Sequence, residues 1–478
     1  MPPKRSGQGR LVVVSNRVTV ANKRQLAQAG GLAVGLLSAL REAGGIWFGW
    51  SGEVSKGQPG AVRTHTSGAI TYALTDLPEA DFEDYYGNFA NRTLWPLFHY
   101  RIDLATYDHR WYAAYRRINR LFAERLKKML RPDDMIWIHD YHLISLGDEL
   151  RRLGVENRMA FFLHIPFPSP ELFATLPWQR GLAHDLCAYD VVGFQTEIDA
   201  RQFRLYLEQD LGVTFDAEGR GALDGRSFLV AAVPIGIDGD EFARMTELPE
   251  ARRNRHRLQE ALRGRRLIIG VDRLDYTKGI AERLKSFKSL LELMGPEGKS
   301  VSFVQISAPS RGDLPEYRNL RVEVETLAGH INGTYGDADW VPLRYMNRSF
   351  SRTALAGFFN LARIGLVTPL RDGMNLVAKE FVAAQNPEDP GVLVLSRFAG
   401  AARELDGALV VNPYDIEMVS QAMAGGLSMP HDERKDRWER MMAEVRHFDI
   451  RGWWTKSLRL LREVGEEPQR RPEVAETS

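Results

Sequence analysis

Short apolar runs that end in polar loops, each followed by good helix formers, recur along the chain and leave few architectures open. Such runs suit strands buried on both faces, and those occur in parallel sheets covered by helices. The most informative instance is residues 367–380, VTPLRDGMNLVAKE. Ile364 to Val367 reads as a buried strand, Pro369 breaks the ladder, and Arg371-Asp372-Gly373 turns the chain. From about Met374 the residues favour a helix, whose N-terminus offers N–H groups and partial positive charge to a phosphate. Asp372 precedes that helix and Glu380 follows it eight positions on, roughly 12 Å away if helical. That is wide for two carboxylates on one reacting bond. It suits one acid at a sugar and another at the far end of a nucleotide. The bland alternative makes Asp372 a helix cap and Glu380 a solvated surface residue, and the pair alone leaves both readings open.

The same unit recurs elsewhere. Strands are expected at 11–15, 135–139, 159–163, 191–194 and 228–233 in the first half, with a meander after Trp47 and Trp50 to about Tyr72 and a hairpin or loop at 216–226. The second half restarts at 267–271, 301–306, 364–367, 392–395 and 409–412. In open α/β sheets the ligand crevice lies at the carboxyl ends of the strands. Asn16-Arg17, Asp140-Tyr141-His142 and His164 occupy such ends, and Gly30-Gly31 opens a helix where glycine permits close backbone approach. Arg273 and Lys278 bracket one strand–helix turn, and two fixed cations there suit a diphosphate. Residues 84–101 are dense in aromatics; Tyr86 and Trp95 suit a sugar site, but core packing is the stronger reading.

At 478 residues two domains are expected, with ordinary apolar content of 44%. A formal charge of +1 supplies no bulk field for nucleic acid or an anionic membrane. The single cysteine, Cys187, rules out an intrachain disulfide framework and fits a reducing cytoplasm. The start has no secretory h-region, and no run is long enough to span a membrane. The acidic clusters Asp133-Asp134 and Asp337–Asp339 read as local structure, so no metal is expected. The domains are expected at 1–238 and 239–446, followed by a helix at 447–466 with an apolar face (Trp453, Trp454, Leu458) and a polar, disordered tail at 467–478.

The segments LVVVSNR, GGLAVGL, WFGWSGE, LWPLFHYR, WIHDYH, FFLHIPFP, AYDVVGFQT, PIGID, RLDYTKG, SRGD, RDGMNLVAKE and VLSRFAGAA, in that order, resemble the trehalose-6-phosphate synthase family from about Leu11 to Asn412. As an ordered set they are specific, though none is so alone. The resemblance implies a GT-B fold, two Rossmann-like domains with parallel sheets facing across a cleft, and a final helix that crosses back onto the first domain. It implies a retaining hexosyltransferase moving glucose from a nucleotide sugar, UDP-glucose in the usual case, to glucose 6-phosphate, giving α,α-trehalose 6-phosphate. By position, Arg17, Tyr86, Trp95, Asp140 and Arg311 resemble the acceptor site. Gly30, Gly31, Arg273, Lys278, Phe350, Leu376, Val377, Ala378, Lys379 and Glu380 resemble the donor site, with His164 and Asp372 against the transferred glucose. No cofactor is expected, and a cytoplasmic homo-oligomer, dimer or tetramer, is.

Rival readings are glucosylglycerol-phosphate synthase, a pseudo-glycosyltransferase, and a non-catalytic sugar-nucleotide-binding regulatory subunit. Intact Arg17, Tyr86, Trp95 and Arg311 favour a sugar phosphate acceptor, and intact Arg273, Lys278, His164 and Asp372 argue against a mere sensor. No G-x-G-x-x-G follows an expected strand, which disfavours a dehydrogenase.

Overall fold

The computed structural model describes residues 9–18, 31–57, 59–312 and 314–464. They form two compact α/β units. The first comprises 9–18, Leu36–Val233 and 454–464, and the second 31–35 and Pro234–Trp453. Gly30 and the expected disordered tail lie outside the described residues.

The first unit holds β1 (Leu11–Arg17), β2 (Gly45–Ser55), β3 (Arg63–Ser67), β4 (Ile70–Pro78), β5 (Met135–His139), β6 (Met159–Phe162), β7 (Val191–Phe194), β8 (Arg220–Leu223) and β9 (Arg226–Ala232). They join in the order β3-β4-β2-β1-β5-β6-β7-β9-β8, parallel except for the antiparallel edge strands β3 and β8. The expected hairpin at 216–226 is the β8–β9 pair. The expected meander differs: β4 lies parallel to β2, and the short β3 pairs with the far side of β4. All five β3 residues, RTHTS, are exposed, so no apolar run marks that strand.

The second unit holds β10 (Arg266–Arg273), β11 (Val301–Ala308), β12 (Leu343–Met346), β13 (Ile364–Val367), β14 (Val392–Ser396) and β15 (Leu409–Val411). Its sheet is wholly parallel in the order β12-β11-β10-β13-β14-β15. The order reverses at β10, so the crevice for a ligand opens at the carboxyl ends of β10 and β13. In the first sheet the same logic selects β1 and β5.

The boundary falls between Val233 and Pro234 rather than at Asp238. Ile235 is already held by second-unit groups: its carbonyl accepts from Lys379 Nζ at 2.9 Å. Ile237 likewise bridges to Asp449. The last helix is Ile450–Glu463, and its residues from Trp454 on belong to the first unit. There Arg158 Nη1 donates to the Arg462 carbonyl at 2.8 Å and Lys456 Nζ to that of Ala232 at 3.2 Å. Among the described residues no helix is long and apolar enough to cross a membrane.

Candidate active site

In the first unit, Arg17, Asp140 and His164 stand at or just beyond the carboxyl ends of the adjacent strands β1, β5 and β6. The end of β1 is pinned where Trp47 Nε1 donates to Ser15 Oγ at 2.8 Å and that hydroxyl donates to the Arg17 carbonyl at 2.9 Å. The Arg17 guanidinium is exposed and lies over the Trp50 ring, 5.5 Å from its centroid. Gly52 makes room for it. A Cβ there would sit 2.8 Å from Arg17 Nη2, and the φ of +97° is itself a glycine conformation. Tyr86 packs on the other side of this cluster, 5.7 Å from Trp50 and stacked on His142 at 5.8 Å. It sits in a widened helix, Glu83–Leu94, and its hydroxyl has no protein partner among the described residues. Trp95 is different. Only 4% exposed, it packs against His99 and Tyr141. Its side chain belongs to the core that supports the cluster, the stronger of the two readings its sequence offered.

Asp140 holds a backbone φ of +76°, a strained conformation for a residue with a side chain. Its Oδ1 accepts from the His164 N–H at 3.3 Å. The His164 ring lies between His139 and Gln195, with Nε2 3.1 Å from His139 Nδ1 and Nδ1 3.4 Å from Gln195 Nε2. Both ring nitrogens are thus engaged, and to bind a sugar hydroxyl His164 must exchange one of these partners. Burial pushes its pKa down to about 3, and burial with His164 nearby pushes His139 well below the usual histidine range. His164 is therefore neutral at working pH and serves as a hydrogen-bonding group, not as a cation.

That pair carries a stability prediction. Below about pH 6.5 the unfolded chain protonates both histidines while the folded chain does not. Stability is therefore full above that pH and falls as pH drops toward the folded values. The slope is about 1.4 kcal/mol per pH unit for each histidine. Urea midpoints of the parent and His164→Gln between pH 7.5 and 5 should show a shallower decline in the variant. Parallel curves would exclude the linkage.

In the second unit, β10 ends at Arg273 and the turn to the next helix carries Asp275 and Lys278. Gly279, at φ +62°, lets this turn approach the loop after β13; a Cβ would lie 2.5 Å from the Thr368 carbonyl. The Leu370 N–H completes the contact by donating to the Thr277 carbonyl at 2.8 Å. The result is an ion pair of Lys278 Nζ with Asp372 Oδ2, both largely buried. Asn375 Nδ2 donates to the same oxygen at 3.0 Å. Asn375, with φ +72°, also caps the helix Leu376–Ala383 by accepting from the Ala378 N–H. The cap is thus Asn375 and not Asp372, which leaves Asp372 to the lysine.

Asp275 is the organiser that sequence reading passed over. It is fully buried, its Oδ1 accepts from Thr277, and its Oδ2 accepts from the Tyr317 hydroxyl at 3.1 Å and lies 3.5 Å from Arg311 Nη1. Burial alone would raise its pKa, but Arg311, Arg273 and Lys278 outweigh it and hold the carboxyl down at about 2. Arg311 also donates to the Tyr317 oxygen at 2.6 Å, and its φ of +47° marks a constrained backbone. One buried carboxylate thus gathers three expected substrate-binding cations. Beneath it, Arg283, wholly buried, pairs with Asp272 and donates to Thr368 Oγ1 at 3.0 Å and to the Lys278 carbonyl at 3.2 Å.

Glu380 is not a solvated surface residue. Its side chain is 14% exposed, Arg352 Nε stands 3.7 Å away, and burial pushes its pKa up against the pull of that arginine. Phe350 is half-buried just before the helix that begins at Arg352, with the Arg348 guanidinium over its ring. Leu376 and Val377 are half-exposed at the start of their helix, and Ala378 is buried. The Lys379 side chain is committed within the protein. Its ammonium is fully buried between Glu404 Oε2 at 2.5 Å and the Ile235 carbonyl, so only its backbone remains for a ligand. Gly31 opens the helix Gly31–Ala43.

Asp275 lies inside RLDYTKG, the very loop quoted for its cations, so the sequence held that signal. Gly52 likewise lies inside WFGWSGE, whereas Tyr317 and Arg352 had no such signal, because each meets its partner only through the fold.

The model of glycosyltransferase family 20 matches residues 9–463. A trehalose-6-phosphate synthase of Sinorhizobium fredii is 50% identical over 448 residues, 93% of this chain and 96% of that protein. A UDP-forming α,α-trehalose-phosphate synthase of Burkholderia xenovorans, solved with glucose-6-phosphate, is 46% identical with a TM-score of 0.91, covering 95% of this chain and 100% of that one. The trehalose-6-phosphate synthase of E. coli, solved with UDP-2-fluoro glucose, is 44% identical with a TM-score of 0.90, covering 95% of this chain and 99% of that one. The fold is GT-B. With a match running through both units, this chain belongs to glycosyltransferase family 20.

Proposed function

We infer that this enzyme transfers glucose from UDP-glucose to glucose 6-phosphate with retention, releasing UDP and α,α-trehalose 6-phosphate. One observation carries the reading: end-to-end relatives, solved with glucose-6-phosphate and with a UDP-glucose analogue, share the fold that sets the two strand-end clusters. One screen tests it, crossing UDP-, GDP- and ADP-glucose with glucose 6-phosphate and glycerol 3-phosphate. UDP-glucose with glucose 6-phosphate should react fastest. A faster reaction with glycerol 3-phosphate would overturn the assignment.

Each cluster suits a step. Departure of UDP builds negative charge on the β-phosphate, which Arg273, Lys278 and the first turn of the helix Leu376–Ala383 can stabilise. Asp372, fixed by Lys278 and Asn375, orients hydroxyls of the transferred glucose. Glu380 accepts from ribose hydroxyls. Retention through a covalent intermediate would call for a carboxylate pair about 5 Å apart across the bond. The second cluster instead commits Asp372 to Lys278 and Asp275 to Arg311 and Tyr317. A same-face route fits better: the leaving phosphate takes the acceptor proton while the protein positions both sugars.

Arg273 and Lys278 supply the positive charge that a divalent ion would otherwise provide. One carboxylate of each acidic cluster is committed: Asp134 to Arg10 at 2.7 Å and Asp337 to Lys299 at 2.6 Å. Among the described residues one group, Asp148, His184 and Asp185, comes close enough to hold an ion, and Arg116 already pairs with both of its carboxylates. Activity after exhaustive chelation should equal that with added magnesium. Complete loss on chelation with rescue by the metal would refute this.

A further inference from the structure

At the edge of the second sheet, a cavity of about 240 Å³ opens between the loop after β14 and the edge strand β15. Neither substrate cluster uses it. Arg397, Arg403 and Asn412 line it above an apolar floor of Val410, Val411 and Met418. Both guanidiniums are exposed, and among the described residues neither has a hydrogen bond or an ion pair. The Arg397 guanidinium lies over the Phe398 ring, 5.7 Å from its centroid.

Three acids nearby in the chain are spent elsewhere, and Glu417, exposed beside Met418, pairs with neither arginine. Glu404 pairs with Lys379, Asp406 with Arg440, and Asp415 caps a helix by accepting from the Met418 N–H. Asn412 Oδ1 accepts from the Tyr414 N–H, which leaves the amide NH₂ as a third donor toward the cavity. Two uncompensated cations on one cavity repel each other until an anion arrives.

Arginine forks match phosphate oxygens through paired, charge-assisted hydrogen bonds. A phosphate monoester carries close to two negative charges at neutral pH, the complement of two guanidiniums, whereas one carboxylate would neutralise only one. The cavity falls below the roughly 300–1,000 Å³ of sites for drug-sized ligands, so the ligand is compact. We propose that this cavity is a phosphate-binding site, for free phosphate or a small phosphomonoester, held by Arg397, Arg403 and Asn412.

The site is tied to the donor loop. The Asp372 N–H donates to the Phe398 carbonyl at 3.1 Å, the Gly400 N–H to the Asp372 carbonyl at 3.3 Å, and the Ala401 N–H to the Met374 carbonyl at 2.9 Å. Ligand drawn onto Arg397 and Arg403 therefore pulls on the loop that holds Asp372.

The test titrates inorganic phosphate calorimetrically into UDP-saturated R17A/R311A enzyme, in which the acceptor arginines are gone, and into the same enzyme carrying R397Q and R403Q as well. The first should bind phosphate, and the second should bind it at least about a hundredfold more weakly, two charged contacts having been lost. Both substituted arginines are exposed, so folding should be unaffected, and thermal melting checks this. R397Q/R403Q in the otherwise unaltered enzyme should keep the parental kcat/KM in phosphate-free buffer. Equal binding by the two titrated enzymes, or none by the first, would overturn the proposal. Repeating the titration with glucose 6-phosphate identifies the source: tighter binding selects a phosphomonoester and equal binding selects free phosphate. The comparison holds whatever ligands the two strand-end clusters take.

Discussion

Lys278→Ala should lower kcat by about 10²–10³, the loss seen when one preorganised donor to a developing oxyanion is removed. The structure adds a second penalty. Lys278 is 8% exposed and paired with Asp372, so truncating it leaves a largely buried carboxylate without its cation. Removing one partner of such a pair costs more than removing both. Asp372→Asn alone should also be severe, since the remaining ammonium then loses the carboxylate it contacts directly. The double variant Lys278→Ala/Asp372→Asn should be no slower than the worse single one, because the two side chains act as a unit. Steady-state kinetics of the four enzymes decide it. Additive losses would dissolve the pair as a catalytic unit, and a Lys278→Ala enzyme with parental kcat would remove Lys278 from the reaction. Thermal melting separates the roles, for the buried-charge penalty appears in stability while the leaving-group contribution appears only in rate.

The second large effect concerns the acceptor's phosphate. The parent should strongly prefer glucose 6-phosphate over glucose, and Arg17→Ala should remove roughly ten- to a hundredfold of that preference, the worth of one charge-assisted hydrogen bond. Arg17 has no carboxylate partner among the described residues, so its full charge is available to the phosphate. Arg311 stands in a different state. Asp275 and Tyr317 already hold it, which aims the guanidinium but shares its charge. Arg311→Ala should therefore cost less of the preference than Arg17→Ala. Tyr317→Phe, which keeps the charge and frees the fork, should raise KM for glucose 6-phosphate and leave kcat close to parental. Comparing kcat/KM for glucose and glucose 6-phosphate across these enzymes tests the set. A parent indifferent to the phosphate, or variants with undiminished preference, would refute it.

Much of the scaffold was legible because buried parallel strands are written as apolar runs. Residues 135–139, 191–194 and 364–367 begin and end where the sequence places them. The strands that escaped notice lack that signature. β3 is polar and wholly exposed at an edge, and β12, LRYM, buries only its first residue. The helix Glu83–Leu94 was equally opaque, because its widened turns break the usual helical spacing of its aromatics.

The sequence by itself determined the class of fold, the strand-end loops and the identity of the charged side chains in them. Local chemistry suffices there: apolar runs make strands, proline and glycine end them, and arginine and lysine at those ends attract phosphate. Only the tertiary structure decided which of those side chains act together. Lys278 and Asp372 lie 94 residues apart, and no local pattern foretells that one carboxylate would anchor the other's charge. Asp275 looked like one more polar loop residue until the fold buried it beneath Arg273, Lys278 and Arg311. The sequence placed His164 at a strand end, but only the fold showed that burial keeps it neutral and sets it between His139 and Gln195. Pairing and burial are consequences of strand order, and strand order is a long-range property that no window of sequence contains.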